Sequence, residues 1–374
     1  STLLSRPVVK EAPVVPLPQP ASPQPTRKTL GKSLTAQDIE AHLDQVVSQS
    51  EVSPVDNGIG RALVDRILRA HREKRPFRVY IMLPVCPASE MEQLTTKKGY
   101  ATRQQILLNQ LSLCRGPSNL LDTVELALAS AEDGGRSKGS MFAKQLYTST
   151  SGVEYPENPR VMWPRASKYI HVAGLRIPGR MADGRLVCEQ IYIHSKVLIA
   201  DDKRAIVGSA NINDRSLMGD RDAEFACCIE QEDPDAPVDG DRGPSFARSL
   251  RMKLWREHFG LLDEQLPANS ESLEATLSDP QSEACWKLWC KTAEENTAVF
   301  RKLFHAWPDS AQRTWAAYHE AKIQAAGGAP DDAPEQLVGR VVDYPLTFLA
   351  DEGLINPLPR CPVLQATPVH KVFA

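Results

Sequence analysis

The 374-residue sequence lacks long apolar runs, excess positive charge and paired C-x-x-C spacing. No stretch approaches the roughly 18 apolar residues that a membrane-spanning helix needs, and the opening residues do not form a signal-peptide pattern. With 44 basic and 47 acidic side chains, the formal net charge is -3, which argues against a dedicated nucleic-acid binder. Eight cysteines without secretory context predict reduced, mostly buried thiols in a cytosolic protein, and make a zinc site improbable.

Composition divides the chain into three predicted segments. Residues 1–36 carry seven prolines before position 26 and almost no aromatic side chains, so they predict a disordered, Pro-rich linker. Helical and strand patterns alternate through residues 37–268 and predict an α/β lobe built on a mixed β-sheet sandwiched by helices. Residues 269–374 predict a C-terminal helical extension packed on that lobe.

The stretch Ile191–Glu230 contains the most informative pattern in the sequence. His194, Lys196 and Asp201 follow the spacing H-x-K-x4-D inside an apolar run that predicts a largely buried strand over residues 191–200. Side chains two apart on a strand share a face, so His194 and Lys196 are expected to point the same way.

The residues after this strand predict a turn and a return strand. Asp201–Lys203 supplies the turn, residues 204–208 read as the second strand, and a further strand over 223–230 carries Glu224 near its start. Gly208, Ser209 and Asn211 follow the return strand as a group of small and polar residues. A histidine and a lysine beside such a group indicate an anion site.

These residue types suit phosphodiester chemistry. Cleavage of a phosphodiester needs a nucleophile, a proton donor for the leaving alkoxide and positive charge near the non-bridging oxygens. A histidine can supply the first two at neutral pH. The amine of Lys196 can supply the charge, and the amide of Asn211 can donate a hydrogen bond to a phosphoryl oxygen.

The strings HSKVLIADD, GSANINDRS and RDAE together closely resemble the second signature motif of the phospholipase D superfamily, in particular of the eukaryotic phospholipase D enzymes. NGIGRALVDRILRAH with FRVYIMLPVCP looks like the helix–strand unit before the motif. SFARSLRMKLWREHFG looks like the helix after it, and VVDYPLTFLADEGL resembles the C-terminal segment of the family. The resemblance implies one of the two lobes of such an enzyme.

The resemblance also implies a role for each motif residue. His194 would protonate the leaving group and then activate water or an alcohol. Lys196 and Asn211 would bind phosphate, with Ser209 and the turn at Gly208 in support. Glu224 would orient the imidazole, and Asp201 would be largely structural. No metal or other cofactor is implied, although a phosphoinositide is a candidate activator of a full-length enzyme.

One departure from the family concerns the number of motifs. Family enzymes build one active site from two H-x-K-x4-D motifs, with one histidine forming a covalent phosphohistidine. None of the other seven histidines in this sequence is followed by lysine two residues later. The chain would therefore be the C-terminal half of a longer enzyme, a half-site that pairs in a dimer, or an inactive half-domain that serves as an interaction module.

The function expected from the resemblance is cleavage of phosphatidylcholine to phosphatidic acid and choline, with transphosphatidylation when a primary alcohol replaces water. The expected partners are a phospholipid bilayer and the missing half, either in the same chain or in a second subunit, and no nucleic acid. The expected location is the cytoplasm, with peripheral attachment to a membrane. The alternative enzyme is another phosphodiesterase or phosphatidyltransferase that acts as a dimer.

Overall fold

The computed structural model describes residues 57–87, 94–95, 99–115, 119–132, 159–230, 239–240, 243–263 and 269–352. The predicted linker at residues 1–36 lies outside these ranges. The predicted domain boundary between residues 268 and 269 stays a prediction. No helix in the described ranges is long and apolar enough to cross a membrane.

The described chain contains eight α-helices and nine strands, besides three short 3₁₀-helices. The helices are α1 (Ile59–Glu73), α2 (Tyr100–Leu113), α3 (Leu120–Glu132), α4 (Asp214–Leu217), α5 (Phe246–His258), α6 (Ser270–Leu277), α7 (Glu283–Leu303) and α8 (Trp315–Ala325). The strands are β1 (Val79–Met82), β2 (Ile170–Arg180), β3 (Leu186–Gln190), β4 (Lys196–Ala200), β5 (Arg204–Gly208), β6 (Ala226–Glu230), β7 (Asp239–Gly240), β8 (Gly243–Pro244) and β9 (Val341–Asp343). Strands β7 and β8 form only a two-residue ribbon.

The central sheet is built around β2, the longest strand. Strand β1 pairs with it in parallel, whereas β3 and β9 pair with it antiparallel, so the sheet is mixed. Because successive side chains of a strand point to opposite faces, β2 contributes to two cores. Ile170 and Val172 pack with α1 and α3, while Ala173 and Leu175 pack with α5, α6 and α7. The predicted sheet sandwiched by helices is confirmed.

A second, antiparallel sheet contains the motif residues. Strands β4, β5 and β6 pair in that order, and α5 packs against all three. The prediction of one strand over residues 191–200 was wrong, because β3 ends at Gln190 in the central sheet and β4 begins at Lys196 in the second. Residues 191–195 connect the two sheets. The sequence pattern did not separate them because Ile191 and Ile193 still pack against the buried core.

The segment that contains β9 is anchored to the central sheet by a hydrogen bond between His171 and Asp343. The imidazole Nε2 of His171, on β2, lies 2.7 Å from the carboxylate of Asp343, and Arg160 approaches the same carboxylate at 3.9 Å. Burial alone would raise the pKa of Asp343. The hydrogen bond and the charges of His171 and Arg160 outweigh burial, so this pKa lies below its ordinary value.

Asp343→Asn is therefore expected to destabilise the chain in a pH-dependent way. A carboxylate whose pKa is lowered in the folded state stabilises the fold above its ordinary pKa of about 3.9, and this contribution is lost as pH falls through the folded-state value. Urea unfolding should show a difference between wild type and variant at about pH 5 that shrinks as the pH falls toward 3. Asp331→Asn, which removes an 86% exposed carboxylate paired with Arg180, is the control and should have little effect at any pH. A pH-independent difference for Asp343→Asn would contradict this explanation.

Candidate active site

Lys196 is the first residue of β4, and His194 lies just before it in the segment that connects the two sheets. Both side chains are accessible: His194 is exposed and Lys196 is partly exposed. The ammonium group of Lys196 donates a hydrogen bond to the backbone carbonyl of His194 at 2.6 Å, and the imidazole stacks on the ring of Tyr192. The spacing H-x-K thus places an imidazole and a positive charge two residues apart in the same exposed stretch of chain.

The turn after β4 holds the motif aspartate and its neighbour in left-handed backbone conformations. Asp201 has φ 54° and Asp202 has φ 57°, and the N–H of Lys203 donates to the carbonyl of Ala200 at 3.0 Å. Two successive residues of positive φ form a tight hairpin whose twist matches that of the flanking strands. Asp tolerates this conformation better than most residues, which explains two adjacent aspartates here.

Asp202, and not the motif aspartate, anchors this turn to the rest of the protein. Asp201 is exposed, whereas the carboxylate of Asp202 is 7% exposed and accepts two hydrogen bonds of 2.6 Å from the guanidinium of Arg251. Arg251 also donates to the carbonyl of Leu277, and the hydroxyl of Ser245 donates to the backbone carbonyl of Asp202. The hairpin is therefore clamped to α5 and α6.

This anchor was missed from the sequence, although a signal for it was present. Ser245 caps the N-terminus of α5, and Arg248 and Arg251 follow at intervals of three residues, so all three lie on one side of the helix. Arg248 approaches Asp202 at 3.5 Å. A pair of adjacent acids and a face with two arginines is a pattern that predicts an ion-pair cluster.

Glu224 is fixed by hydroxyl groups from the residues around Gly208. The side-chain hydroxyl of Ser209 donates to the carboxylate of Glu224, and hydrogen bonds from Ser209 and Ser216 hold the pKa of Glu224 below its ordinary value. The positive charge of Lys196 acts in the same direction. Glu224 is thus an ionised carboxylate at neutral pH. It lies close enough to Lys196 for the positive charge of the ammonium group to stabilise it.

Asn211 lies on the exposed loop between β5 and α4. Asn213 caps α4 by accepting a hydrogen bond from the N–H of Ser216 at 2.9 Å. The backbone N–H and side-chain amide of Asn57 donate to Asp214 at 2.9 and 2.6 Å, which ties this loop to the start of α1. Among the described residues, no hydrogen bond connects the amide of Asn211 with the imidazole of His194.

Gly208 is required by the close approach of β5 and β6. A Cβ atom at this position would lie 2.4 Å from the carbonyl oxygen of Phe225 and 2.7 Å from the Cβ of Ala226. These contacts involve backbone, so the two strands would have to separate. The separation would also disturb the backbone hydrogen bond of 2.9 Å from Ser209 to Phe225.

Gly208→Ala is expected to lower the free energy of unfolding by about 1–3 kcal/mol, the usual cost of overpacking. Gly179→Ala is the matched control, since Gly179 also lies on a strand and a Cβ atom added there would meet no atom within 4 Å. Urea unfolding of both variants measures the difference. Equal midpoints for the two variants would contradict the steric explanation.

The surface around these residues is unusually apolar. Of the 14 large hydrophobic side chains that are exposed in the described ranges, nine lie between residues 192 and 229. We call these nine residues the apolar surface: Tyr192, Val197, Leu198, Val207, Ile212, Leu217, Met218, Phe225 and Ile229. A concentration of exposed apolar side chains in one part of a protein marks an interaction site more often than scattered single residues do. The described ranges contain no group of three or more His, Cys, Asp or Glu residues that could hold a metal ion.

Comparisons with known proteins agree with this site. A family model described as Phospholipase D matches residues 182–307, a range that includes every motif residue from His194 to Glu224. Phospholipase D2 of Bos taurus is 33% identical over 320 residues, covering 83% of this chain and 30% of that protein. Phospholipase D1 of Homo sapiens is 32% identical over 318 residues, covering 83% of this chain and 26% of that protein.

The similarity extends to plants. Phospholipase D zeta 1 of Arabidopsis thaliana is 30% identical over 334 residues, covering 80% of this chain and 26% of that protein. The chain therefore spans about 26–30% of the length of these three relatives. With the motif residues assembled on one mixed α/β lobe, the chain belongs to the phospholipase D family.

Proposed function

We propose that this chain supplies one half of a phospholipase D active site that cleaves phosphatidylcholine to phosphatidic acid and choline. The observation that carries the proposal is the exposed pair of His194 and Lys196 beside the ionised Glu224. An accessible imidazole next to fixed positive charge is what a phosphodiester needs at its leaving group and its non-bridging oxygens.

Each residue has a defined part in the proposed reaction. A histidine of a second motif attacks phosphorus and forms a phosphohistidine, while His194 protonates the leaving choline oxygen. His194 then removes a proton from water, whose oxygen attacks phosphorus and breaks the phosphorus–nitrogen bond. The ammonium group of Lys196 offsets negative charge on the phosphoryl oxygens, and the amide of Asn211 donates a hydrogen bond to one of them. A primary alcohol in place of water gives a phosphatidyl alcohol.

In this proposal Asp201 acts through its backbone, which forms the left-handed turn that follows β4. Ser209 and Gly208 keep Glu224 in place, and Glu224 would orient the imidazole of His194 once the second half completes the site. In the described part of the chain, Glu224 is hydrogen-bonded to hydroxyl groups of the loop, so its contact with His194 is a prediction about the completed enzyme.

The partner of the half-site is proposed to be a second lobe that carries another H-x-K-x4-D motif, in a longer chain or in a second subunit. The apolar surface supports this proposal, because nine of the 14 exposed large hydrophobic side chains in the described ranges lie in the stretch that carries the motif. Burial of its side chains against a second lobe would stabilise the assembly by about 25 cal/mol for each Å² of apolar area removed from water. The isolated chain is expected to self-associate for the same reason.

Because the proposed substrate, phosphatidylcholine, lies in a bilayer, the proposed reaction takes place at a membrane surface. We propose that the enzyme acts from the cytoplasm as a peripheral membrane protein, with an anionic phosphoinositide as a candidate activator. No other cofactor enters the proposed reaction.

The proposal is tested by measuring choline release from phosphatidylcholine vesicles when this chain is combined with a lobe that carries the other motif. Adding 1-butanol should divert product from phosphatidic acid to phosphatidylbutanol, because both arise from one phosphohistidine. Cleavage of bis-nitrophenyl phosphate or of nucleic acid without cleavage of lipid would contradict the substrate and would favour another phosphodiesterase. No activity in any combination would favour an inactive interaction module.

A further inference from the structure

The backbone that carries His194 is held by few main-chain contacts. Residues 192–195 belong to neither sheet ladder, since β3 ends at Gln190 and β4 begins at Lys196. Exposure nevertheless alternates between the side chains of residues 191–194. Ile191 and Ile193 pack inward against the core, whereas Tyr192 and His194 point outward. Side chains must therefore fix the position of His194.

Tyr192 makes two contacts that can do so. Its ring lies beside the imidazole of His194 with centroids 6.1 Å apart and an angle of 25° between the planes, a stacked geometry. Its hydroxyl donates a hydrogen bond to the carbonyl oxygen of Pro87 at 3.0 Å. Pro87 follows β1, so Tyr192 ties the connecting segment to the central sheet while its ring supports the imidazole.

We propose that Tyr192 is a positioning residue for His194. Its ring restricts the orientation of the imidazole, and its hydroxyl restricts the backbone that carries it. The inference rests on the proposed function, in which His194 transfers a proton to the leaving group and from water. Proton transfer requires the ring nitrogen at hydrogen-bond distance from the reacting oxygen, so a freely rotating imidazole would be a poor acid and base.

The test compares Tyr192→Ala, which removes ring and hydroxyl, with Tyr192→Phe, which keeps the ring. Phe246→Ala is the matched control because it removes another exposed aromatic side chain, 51% exposed, at the start of α5. Acylation of histidines by diethyl pyrocarbonate, measured for each histidine by mass spectrometry on the full chain, reports access to the imidazole without requiring activity. The exposed His319 is the internal reference.

In Tyr192→Ala the acylation rate of His194 relative to His319 should rise by about two- to tenfold, the range that corresponds to loss of one aromatic pair. In Tyr192→Phe this relative acylation rate should stay nearer to the wild-type value, and in Phe246→Ala it should equal the wild-type value. With the completed enzyme, Tyr192→Ala should lower kcat by about tenfold or more with little change in KM, since misplacement of a reacting group costs rate rather than binding.

An unchanged acylation rate in Tyr192→Ala would overturn the proposal. A raised rate with wild-type kcat in the completed enzyme would overturn it as well, because the contact would then have no positioning role. A raised rate together with no activity of the wild-type enzyme on any phosphodiester would support the contact between the two rings and refute the proposed function. The two claims therefore fail separately.

Discussion

His194→Ala is expected to lower phosphatidylcholine cleavage by the completed enzyme by about 10²–10⁴-fold, the range for loss of a general acid and base. Removal of the imidazole leaves the alkoxide leaving group without a proton donor and the attacking water without a base. Lys196 cannot replace it, because an ammonium group donates but does not accept a proton at neutral pH. The measurement is kcat for choline release with wild type and variant at equal lobe concentrations.

The fold should survive this change. His194 is exposed, and its ring stacks on Tyr192 outside the core, so the free energy of unfolding should change by less than about 0.5 kcal/mol. His319→Ala removes another exposed histidine, on α8, and is the control for general effects of the substitution. Equal kcat values for His194→Ala and wild type would show that the imidazole takes no part in the reaction.

Asp202→Asn is expected to lower the free energy of unfolding by about 3–5 kcal/mol, the cost of breaking a buried ion pair by removing one partner. Asp202 and Arg251 are 7% and 6% exposed, and the carboxylate accepts two hydrogen bonds of 2.6 Å. Loss of the negative charge leaves the guanidinium of Arg251 buried without its counter-ion. Urea unfolding followed by circular dichroism measures the effect.

Asp201→Asn is the matched control, because the substitution is the same and both backbones are left-handed, with φ 54° and 57°. Asn tolerates this conformation, so backbone strain is equal in the two variants. The exposed carboxylate of Asp201 should contribute less than about 0.5 kcal/mol. Similar losses in both variants would show that the turn conformation, and not the pair with Arg251, provides the anchor.

Much of the architecture could be predicted from the sequence because it follows local periodicity. The helix expected from the string NGIGRALVDRILRAH is α1 (Ile59–Glu73), and the hairpin turn at Asp201–Lys203 is confirmed. Family membership is also confirmed, since it rests on strings of residues that do not depend on knowing the fold. The roles of the individual site residues stay predictions.

Two features of the site could not be predicted from local pattern. Adjacent aspartates look alike in sequence, and the partner that distinguishes them, Arg251, lies 49 residues after Asp202. The apolar run at β4 indicated burial, yet Val197 and Leu198 are 39% and 43% exposed. Hydrophobicity predicts that a side chain avoids water, but not whether its contact comes from the same chain segment or from a partner.

The exposure of the cysteines is another feature that the sequence predicted only in part. Cys114 and Cys285 are buried, and burial raises the pKa of their thiols to about 12 and about 11, in line with inert core residues. Cys227 and Cys228 are exposed on β6, although the sequence predicted mostly buried thiols. Both lie on β6, the strand that also carries Ile229 of the apolar surface.

The most direct test of the half-site is a complementation assay for choline release. Three samples are compared at equal concentration: this chain alone, a lobe with another H-x-K-x4-D motif taken from a phospholipase D relative, and both together. Light scattering on the same samples determines the oligomeric state. We predict release only from the mixture, and none when the mixture contains His194→Ala. Release by this chain alone, as a monodisperse monomer, would contradict the claim that it carries half of an active site.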